Sequence, residues 1–235
     1  MKTAAPAISV SVTTLINKNI VSGKFPTLWK LAQITPIHKK GPTENKGNYR
    51  PISILCALSK ILERHVHDSL YTYLMYHNML HDGQSGYRAM HSCETAMNHM
   101  VHKWASAIDK GLVNGVVLLD LRKAFDLVNH TILLDKLSVY GCSQQSMRWL
   151  SSYLPERKQF VLFKGKQSGL SEITTGVPQG SILGQLFFIL FMNDMPMSTR
   201  TINNVDMYAD DSTIGVCGKN IQEIELKLNN ELQEI

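Results

Sequence analysis

A chain of 235 residues that is 44% hydrophobic can bury one large core or two small ones, and with 18% charged residues it is not a disordered tail. No apolar run reaches the roughly 18 residues that span a bilayer, and the first twenty residues are too interrupted by polar groups for a signal peptide, so a soluble intracellular protein is expected. The net charge of +5 is local: Lys24, Lys30, Lys39, Lys40, Lys46 and Arg50 face only Glu44 between positions 24 and 50, leaving 18 basic and 18 acidic residues elsewhere. Such a patch suits a phosphate-bearing ligand or a plain solvated loop, and charge alone leaves both open.

In chain order, Ile8, Val12, Leu15 and Ile16 have helical spacing until Gly23 and Pro26 break it. LAQITPIHKKG alternates into a strand ending at Gly41, and residues 42–48 form a polar turn leading into YRPISIL. Leu55, Leu58, Ile61, Leu62, Val66, Leu70 and Leu74 recur at three and four, predicting an amphipathic helix over residues 53–77. The loop HDGQSGYRAMHS precedes a helix over 94–108, and GVVLLD, an apolar run ending in Asp120, reads as a buried strand. Helices follow over 131–140, closed by Gly141, and from a Ser143 cap to about Leu154. QFVLF and LSEIT flank KGKQSG as a hairpin, and PQGS opens the apolar helix ILGQLFFILFMNDM. NVDMYA and STIGVC form a second hairpin around Asp210-Asp211, and Ile221, Ile224, Leu228, Leu232 and Ile235 mark a last helix.

Cys56, Cys93, Cys142 and Cys217 make no C-x-x-C pair, which argues for reduced, buried thiols. His91, Cys93, His99 and His102 fit no common zinc spacing. Tyr71, Tyr73 and Tyr76 read as helix packing, and Leu186 to Leu190 as core.

Two adjacent acids at a hairpin tip are chemically odd, because like charges repel and a tight turn favours Asn-Gly or Asp-Gly. A divalent cation relieves such a pair, and carboxylate oxygens suit Mg²⁺. If the strand ending in Asp120 neighbours this hairpin, three acids meet at one sheet edge. Two Mg²⁺ ions roughly 4 Å apart would there activate a hydroxyl and stabilise a leaving pyrophosphate. Taken singly, Asp210-Asp211 reads as a solvated turn and Asp120 as a helix cap.

Tyr208-Ala209-Asp210-Asp211 matches the Y-x-D-D box of reverse transcriptases, and LDLRKAFDLVNHTILLDKL matches their first aspartate motif as jockey and CR1 elements write it. FPTLWKLAQITPIHKKG with NYRPISIL, SGYRAMHSCETA and GVPQGSILG follow the family order. Over almost its whole length the chain therefore resembles the reverse transcriptase domain of a non-LTR retrotransposon, as a partial copy.

The resemblance implies an α+β right-hand polymerase fold: fingers over 1–110 with an N-terminal helical extension, and over 111–235 a palm of antiparallel sheet and packed helices. It implies that the chain stops before the motif-D lysine region and the thumb, with no endonuclease ahead of it. Asp120 and Asp210 would bind metal with Asp211 in support, using two Mg²⁺ ions, or Mn²⁺. Phe125 would lie beneath the incoming sugar and exclude a 2′-hydroxyl. Lys39 (or Lys40) and Arg50 would hold the triphosphate, and Gln179 and Gly180 would open the motif-B helix. Arg88, Arg157, Lys158 and Gln159 are candidate template-backbone contacts. The implied partners are an RNA template, a DNA primer and deoxynucleotides, in the nucleus or cytoplasm, without a membrane.

Gln185 stands where proline is usual and Asn129 where aspartate is common. The rival readings are an inactive nucleic-acid-binding remnant, a group II intron maturase, and an RNA-dependent RNA polymerase, whose turn usually reads Gly-Asp-Asp.

Overall fold

Residues 5–199 and 205–233 are described by the computed structural model. They fall into two units that interleave in sequence, Met1–Tyr73 with Phe125–Phe187, and Leu74–Ala124 with Phe188–Ile235. This partition does not follow a single division at residues 110 and 111.

In the first unit, α1 (Ala5–Ser22) ends where Gly23 takes a positive φ of 63°. The last carbonyls of a helix lack internal partners. Those of Ile20 and Val21 accept from the Gln145 side-chain amide at 2.8 Å each. β1 (Leu31–His38) and β2 (Tyr49–Ile54) form an antiparallel hairpin, and β1 also runs parallel to β4 (Arg157–Phe163). Lys164 and Gly165, both at positive φ, turn the chain back so that β5 (Lys166–Gln167) and β6 (Ser171–Ile173) pair antiparallel with β4. α2 (Ala57–Tyr76) starts later than its periodicity predicted: Ser53 and Ile54 are strand residues, pairing with Ile34 and Gln33.

α4 (His130–Val139) is capped by Asn129, whose side-chain oxygen accepts from Thr131 and Ile132 at 2.9 and 3.2 Å. An asparagine therefore serves here as well as the commoner aspartate. Ser143 caps α5 (Gln144–Tyr153) as expected. α6 (Ile182–Met192) contributes Leu183, Leu186 and Phe187 to this core, all essentially inaccessible. Burying a side chain of that size contributes about 1.5–3 kcal/mol. Phe25 meets Trp29, Trp149 and Tyr153 edge-on at 4.9–5.9 Å, the favoured geometry for aromatic quadrupoles.

In the second unit, β3 (Val113–Asp120), β8 (Asp211–Gly218) and β7 (Val205–Tyr208) form an antiparallel sheet in the order β3-β8-β7. Val205, Met207 and Ile214 make its buried centre. α7 (Ile221–Leu232) covers the face that includes Gly115, where a β-carbon would collide with Ile224. The opposite face carries Asp120 and leaves Leu118 77% exposed, so β3 is a half-covered strand and not the buried one its apolar run predicted. α3 (Cys93–Asp109) begins at a capping box between Ser92 and Thr95. The expected closing helix is α7, and Ile235 lies outside the described residues.

The thiols are free, but Cys93 and Cys217 are exposed and Cys56 and Cys142 half-buried, which corrects the expectation of buried cysteines. Their spacing carried no information on burial. Tyr73 packs as expected, donating to the Tyr140 carbonyl at 3.0 Å, whereas Tyr76 is exposed.

Candidate active site

Asp120 is the last residue of β3 and Asp211 the first of β8, and the sheet register pairs them directly. Antiparallel partners project to the same face with β-carbons about 5 Å apart. Between β7 and β8 the turn has two residues, Ala209 and Asp210, closed by the Tyr208–Asp211 pair. The sheet thus brings the three sequence-predicted acids to one edge of one unit. Asp211 feels the result: desolvation first, then the charges of Asp210 and Asp120, push its pKa above the usual carboxylate range.

A fourth acid on the same face, Asp206, is differently placed. Lys103 of α3 meets it at 2.7 Å and His99 at 3.6 Å, so its charge is already balanced within the fold. Beside these groups opens a groove of about 1020 Å³ whose walls include Asp206, Tyr208, Asp211, His81, His91 and Lys103. The Tyr208 phenol is raised above its usual range by a hydrogen bond with the Cys93 thiol.

Among the described residues, no three His, Cys, Asp or Glu side chains converge tightly enough to enclose a metal ion. A closed cage is not what Mg²⁺ requires, since it commonly binds through one or two carboxylates and completes its shell with water and substrate phosphates. Paired acids at an exposed edge, mutually repelling, have the chemistry for that open kind of site.

The raised pKa has a consequence for stability. An acid that holds its proton more tightly when folded destabilises the fold once ionised; the penalty is absent below the unfolded carboxylate range and develops as pH rises through the raised value. Asp211→Asn should therefore raise the thermal unfolding midpoint at neutral pH in a chelator, by no more than about 2 °C because the group is exposed and screened. The gain should vanish as the pH is lowered towards 4 in a differential scanning titration. A variant less stable than the parent at pH 7 would contradict the repulsion.

The Tyr208–Asp211 turn is braced by a loop in which sequence reading gave a role to Arg88 and none to Gln84. Ala209 has φ 59°, a left-handed conformation that costs a non-glycine residue about 1 kcal/mol. Gln84, completely buried, accepts through its side-chain oxygen from Ala209 N–H at 3.1 Å and Gly86 N–H at 2.7 Å. Ser85 N–H donates to Met207 O, and Met207 N–H donates to Gly83 O, both at 2.8 Å. At Gly86 a β-carbon would overlap the Ala209 backbone. Arg88, half-buried, closes this loop by donating through Nη1 to the carbonyls of His81 and Gln84 at 2.9 and 3.1 Å, which commits part of its guanidinium to the fold. Glycines spaced around a polar residue were the available sign, but a lone Gln in a loop has no periodicity to mark it.

The remaining candidates lie in the first unit. Arg50 pairs with Ile37 across the β1–β2 hairpin, and Lys39 N–H continues the ladder to Asn48 O at 2.8 Å. Continuing the strand alternation by one residue, Lys39 shares a face with Ile37 and Arg50, and Lys40 lies past it in a bend. Lys24, Lys39, Lys40, Lys46 and Arg50 are exposed. Lys30 is not part of that surface, being buried against Glu156 at 3.4 Å.

Gln179 donates to Asp126 Oδ1 at 3.2 Å, and its carbonyl accepts from Ser53 N–H at 2.8 Å. Gly180, at φ 123°, leaves no room for a β-carbon beside the Ser53 carbonyl. Phe125 is half-buried in a short turn (Ala124–Leu127), and its carbonyl accepts from Val177 N–H at 2.8 Å. The segments around Phe125 and Gln179 are therefore fastened to one another. Ser181 and the buried Glu63 cap α6, the Glu63 carboxylate accepting from Ile182 N–H at 2.8 Å while burial pushes its pKa up. Arg157, only 2% exposed, donates to Tyr153 O at 3.1 Å and lies over that residue's ring, so it cannot meet a template. Burial of an arginine was invisible in the short motif Arg-Lys-Gln.

Compared with known proteins, residues 37–235 match the family described as reverse transcriptase (RNA-dependent DNA polymerase). The chain is 34% identical over 201 residues to the probable RNA-directed DNA polymerase from transposon BS of Drosophila melanogaster, covering 82% of this chain and 21% of that protein. To the RNA-directed DNA polymerase from mobile element jockey of the same organism it is 33% identical, over 88% of this chain and 23% of that one. The chain thus spans about a fifth of the length of these curated relatives. Among solved structures it resembles apo telomerase from Candida tropicalis, with a TM-score of 0.61 and 13% identity over 87% of this chain and 46% of the other, a likeness of fold.

Proposed function

The chain belongs to the reverse transcriptase (RNA-dependent DNA polymerase) family, and from that premise we propose that it carries the nucleotidyl-transfer centre of a non-LTR retrotransposon's RNA-directed DNA polymerase. The observation that carries the reading is the Asp120–Asp211 register, with Asp210 beside it in a two-residue turn. The reaction joins a primer 3′-hydroxyl to the α-phosphorus of a deoxynucleotide opposite an RNA template, and pyrophosphate leaves.

Asp120 and Asp210 would hold two divalent cations, Mg²⁺ or Mn²⁺, with Asp211 supporting them. Those ions, when bound, supply a lowered pKa for the attacking hydroxyl and charge compensation for the leaving group. Lys39 and Arg50 hold the triphosphate, a mobile ammonium and a planar fork on one face of a hairpin. Gln179 and Gly180 bring polar backbone close to the nucleotide, and Phe125 tests its sugar. On this reading the basic surface at Lys39 and Arg50 belongs to fingers over 1–110 and the acidic edge to a palm over 111–235. The template, the primer and an intracellular setting, nuclear or cytoplasmic, belong to the same proposal.

The deciding experiment is extension of a DNA primer on an RNA template with Mg²⁺. It is run with this chain and with this chain joined to the segment that follows the matching region in the jockey relative. Incorporation in either form supports the reading. A folded chain that binds template–primer and incorporates nothing in both forms would leave the binding remnant instead.

The sugar gate gives a separate prediction. Phe125→Ala should raise ribonucleotide incorporation relative to deoxynucleotide by about tenfold or more, because removing a ring relieves a clash worth one to a few kcal/mol. Competition between rNTP and dNTP substrates measures the ratio. An unchanged ratio removes Phe125 from that role.

A further inference from the structure

We propose that Gln84 is a positioning residue for the catalytic turn, acting through Ala209 on the carboxylates of Asp210 and Asp211. The inference rests on the nucleotidyl-transfer reading above, though its structural half can be tested without it.

A carboxylate pair serves a metal site only if the backbone beneath it holds one conformation. Here that backbone includes a strained residue, Ala209 at φ 59°, directly before Asp210. A glycine would take this conformation freely. Alanine must be held there by its surroundings. Its N–H is secured by the Gln84 side-chain oxygen, and the same oxygen secures Gly86 N–H, tying the turn to the loop alongside it.

Two further observations mark this as more than packing. Both neighbours of the Gln84 amide group are donors, so the oxygen must face them. The nitrogen then remains buried with no hydrogen-bond partner among the described residues. A fully buried side chain with one unsatisfied half is a poor choice for filling space, where leucine or methionine would serve better. What glutamine adds is an acceptor shared by two backbone donors. The loop is also shaped to bring that acceptor in: Gly83 and Gly86 leave no room for a β-carbon against Val205 O and the Ala209 backbone, and Gln84 itself bridges to Met207 of β7. Because Gln84 contacts the turn's backbone and none of the acids' side chains in these bonds, it acts through Ala209.

The test compares the 235-residue chain with Gln84→Met, which keeps length and apolar volume but removes the strong acceptor. In amide hydrogen exchange, Gln84→Met should speed exchange at Ala209 and Gly86 by tenfold or more. The Met207 amide, held by Gly83 O, should change by less than threefold. This readout requires neither metal nor activity. In single-nucleotide incorporation the same change should lower kcat by about ten- to a hundredfold, with KM for the nucleotide within about threefold. Adding Ala209→Gly should then shrink the effect of Gln84→Met to about threefold or less, because a glycine no longer needs the left-handed conformation enforced.

Unchanged Ala209 exchange, or an equal kcat loss with and without Ala209→Gly, overturns the positioning role. A general destabilisation would accelerate Met207 as well, and that outcome also counts against it. If the parent chain is inactive both alone and joined to the segment from the jockey relative while the selective exchange effect is present, the nucleotidyl-transfer reading fails and Gln84 remains the brace of the turn. If Gln84→Met does not fold, Gln84→Asn provides the second arm: the shortened amide should reproduce the Ala209 exchange effect, and parental exchange there overturns the proposal.

Discussion

Asp120→Asn should lower deoxynucleotide incorporation at saturating Mg²⁺ by at least about a thousandfold, equivalent to about 4 kcal/mol of transition-state stabilisation. Asp120 ends its strand at an exposed edge, so an isosteric amide there disturbs no packing. What it removes is a full negative charge from the group proposed to hold the cations, and an amide is a weak substitute for a hard, charged ligand. Rapid-quench measurement of one incorporation step reports the loss, with circular dichroism to verify that the variant folds. Residual activity within tenfold of the parent would remove Asp120 from the metal site. The effect should exceed that of Gln84→Met, since Gln84 acts only through the backbone of the turn.

Gly180→Ala should cost about 2–4 kcal/mol of stability, the range for forcing a side chain into an incompatible backbone and a close contact. Two independent reasons add. The φ of 123° is a region that residues with a β-carbon rarely enter, and that β-carbon would stand 2.6 Å from the Ser53 carbonyl oxygen. Ser53 cannot easily yield, because it is paired to Ile34 in the β1–β2 hairpin and its N–H is bound to Gln179 O. Urea denaturation followed by tryptophan fluorescence would read the change in midpoint, with Trp29 and Trp149 both reporting on this unit. A loss below about 0.5 kcal/mol would mean that the Gln179–Ser181 segment is free to move away from β2.

Much of the fold was legible because its signals are local. Helical spacing located α1, α3 and α7, Ser143 and Gly141 marked a helix start and stop, and the acids between two alternating runs marked the hairpin. The three carboxylates were readable for the same reason, each lying beside a strand end that the pattern already defined. What escaped detection depends on contacts between segments distant in sequence. The apolar run of β3 predicted burial, but the face that carries Val116 and Leu118 is left largely open. Arg157 looked like a surface cation, yet tertiary packing seats it over Tyr153. Ser53 and Ile54 fit the helical period of the next element, and pairing with β1 overrides it. Gln84 belonged to no motif and Asp126 lay in one without an assigned role, and their importance lies in which backbone or side chain each one meets.

The strand order β3-β8-β7 also says when the site can exist during synthesis. The middle strand of the sheet is the last of the three to leave the ribosome, and Asp211 emerges roughly 90 residues after Asp120. Until then β3 has no neighbour within its own sheet, and its half-apolar surface waits for a distant partner. Pairings of such high contact order form slowly. A nascent chain therefore cannot bring these acids together until β8 has been made, and the proposed capture of a cation at this edge must wait for that strand to join β3.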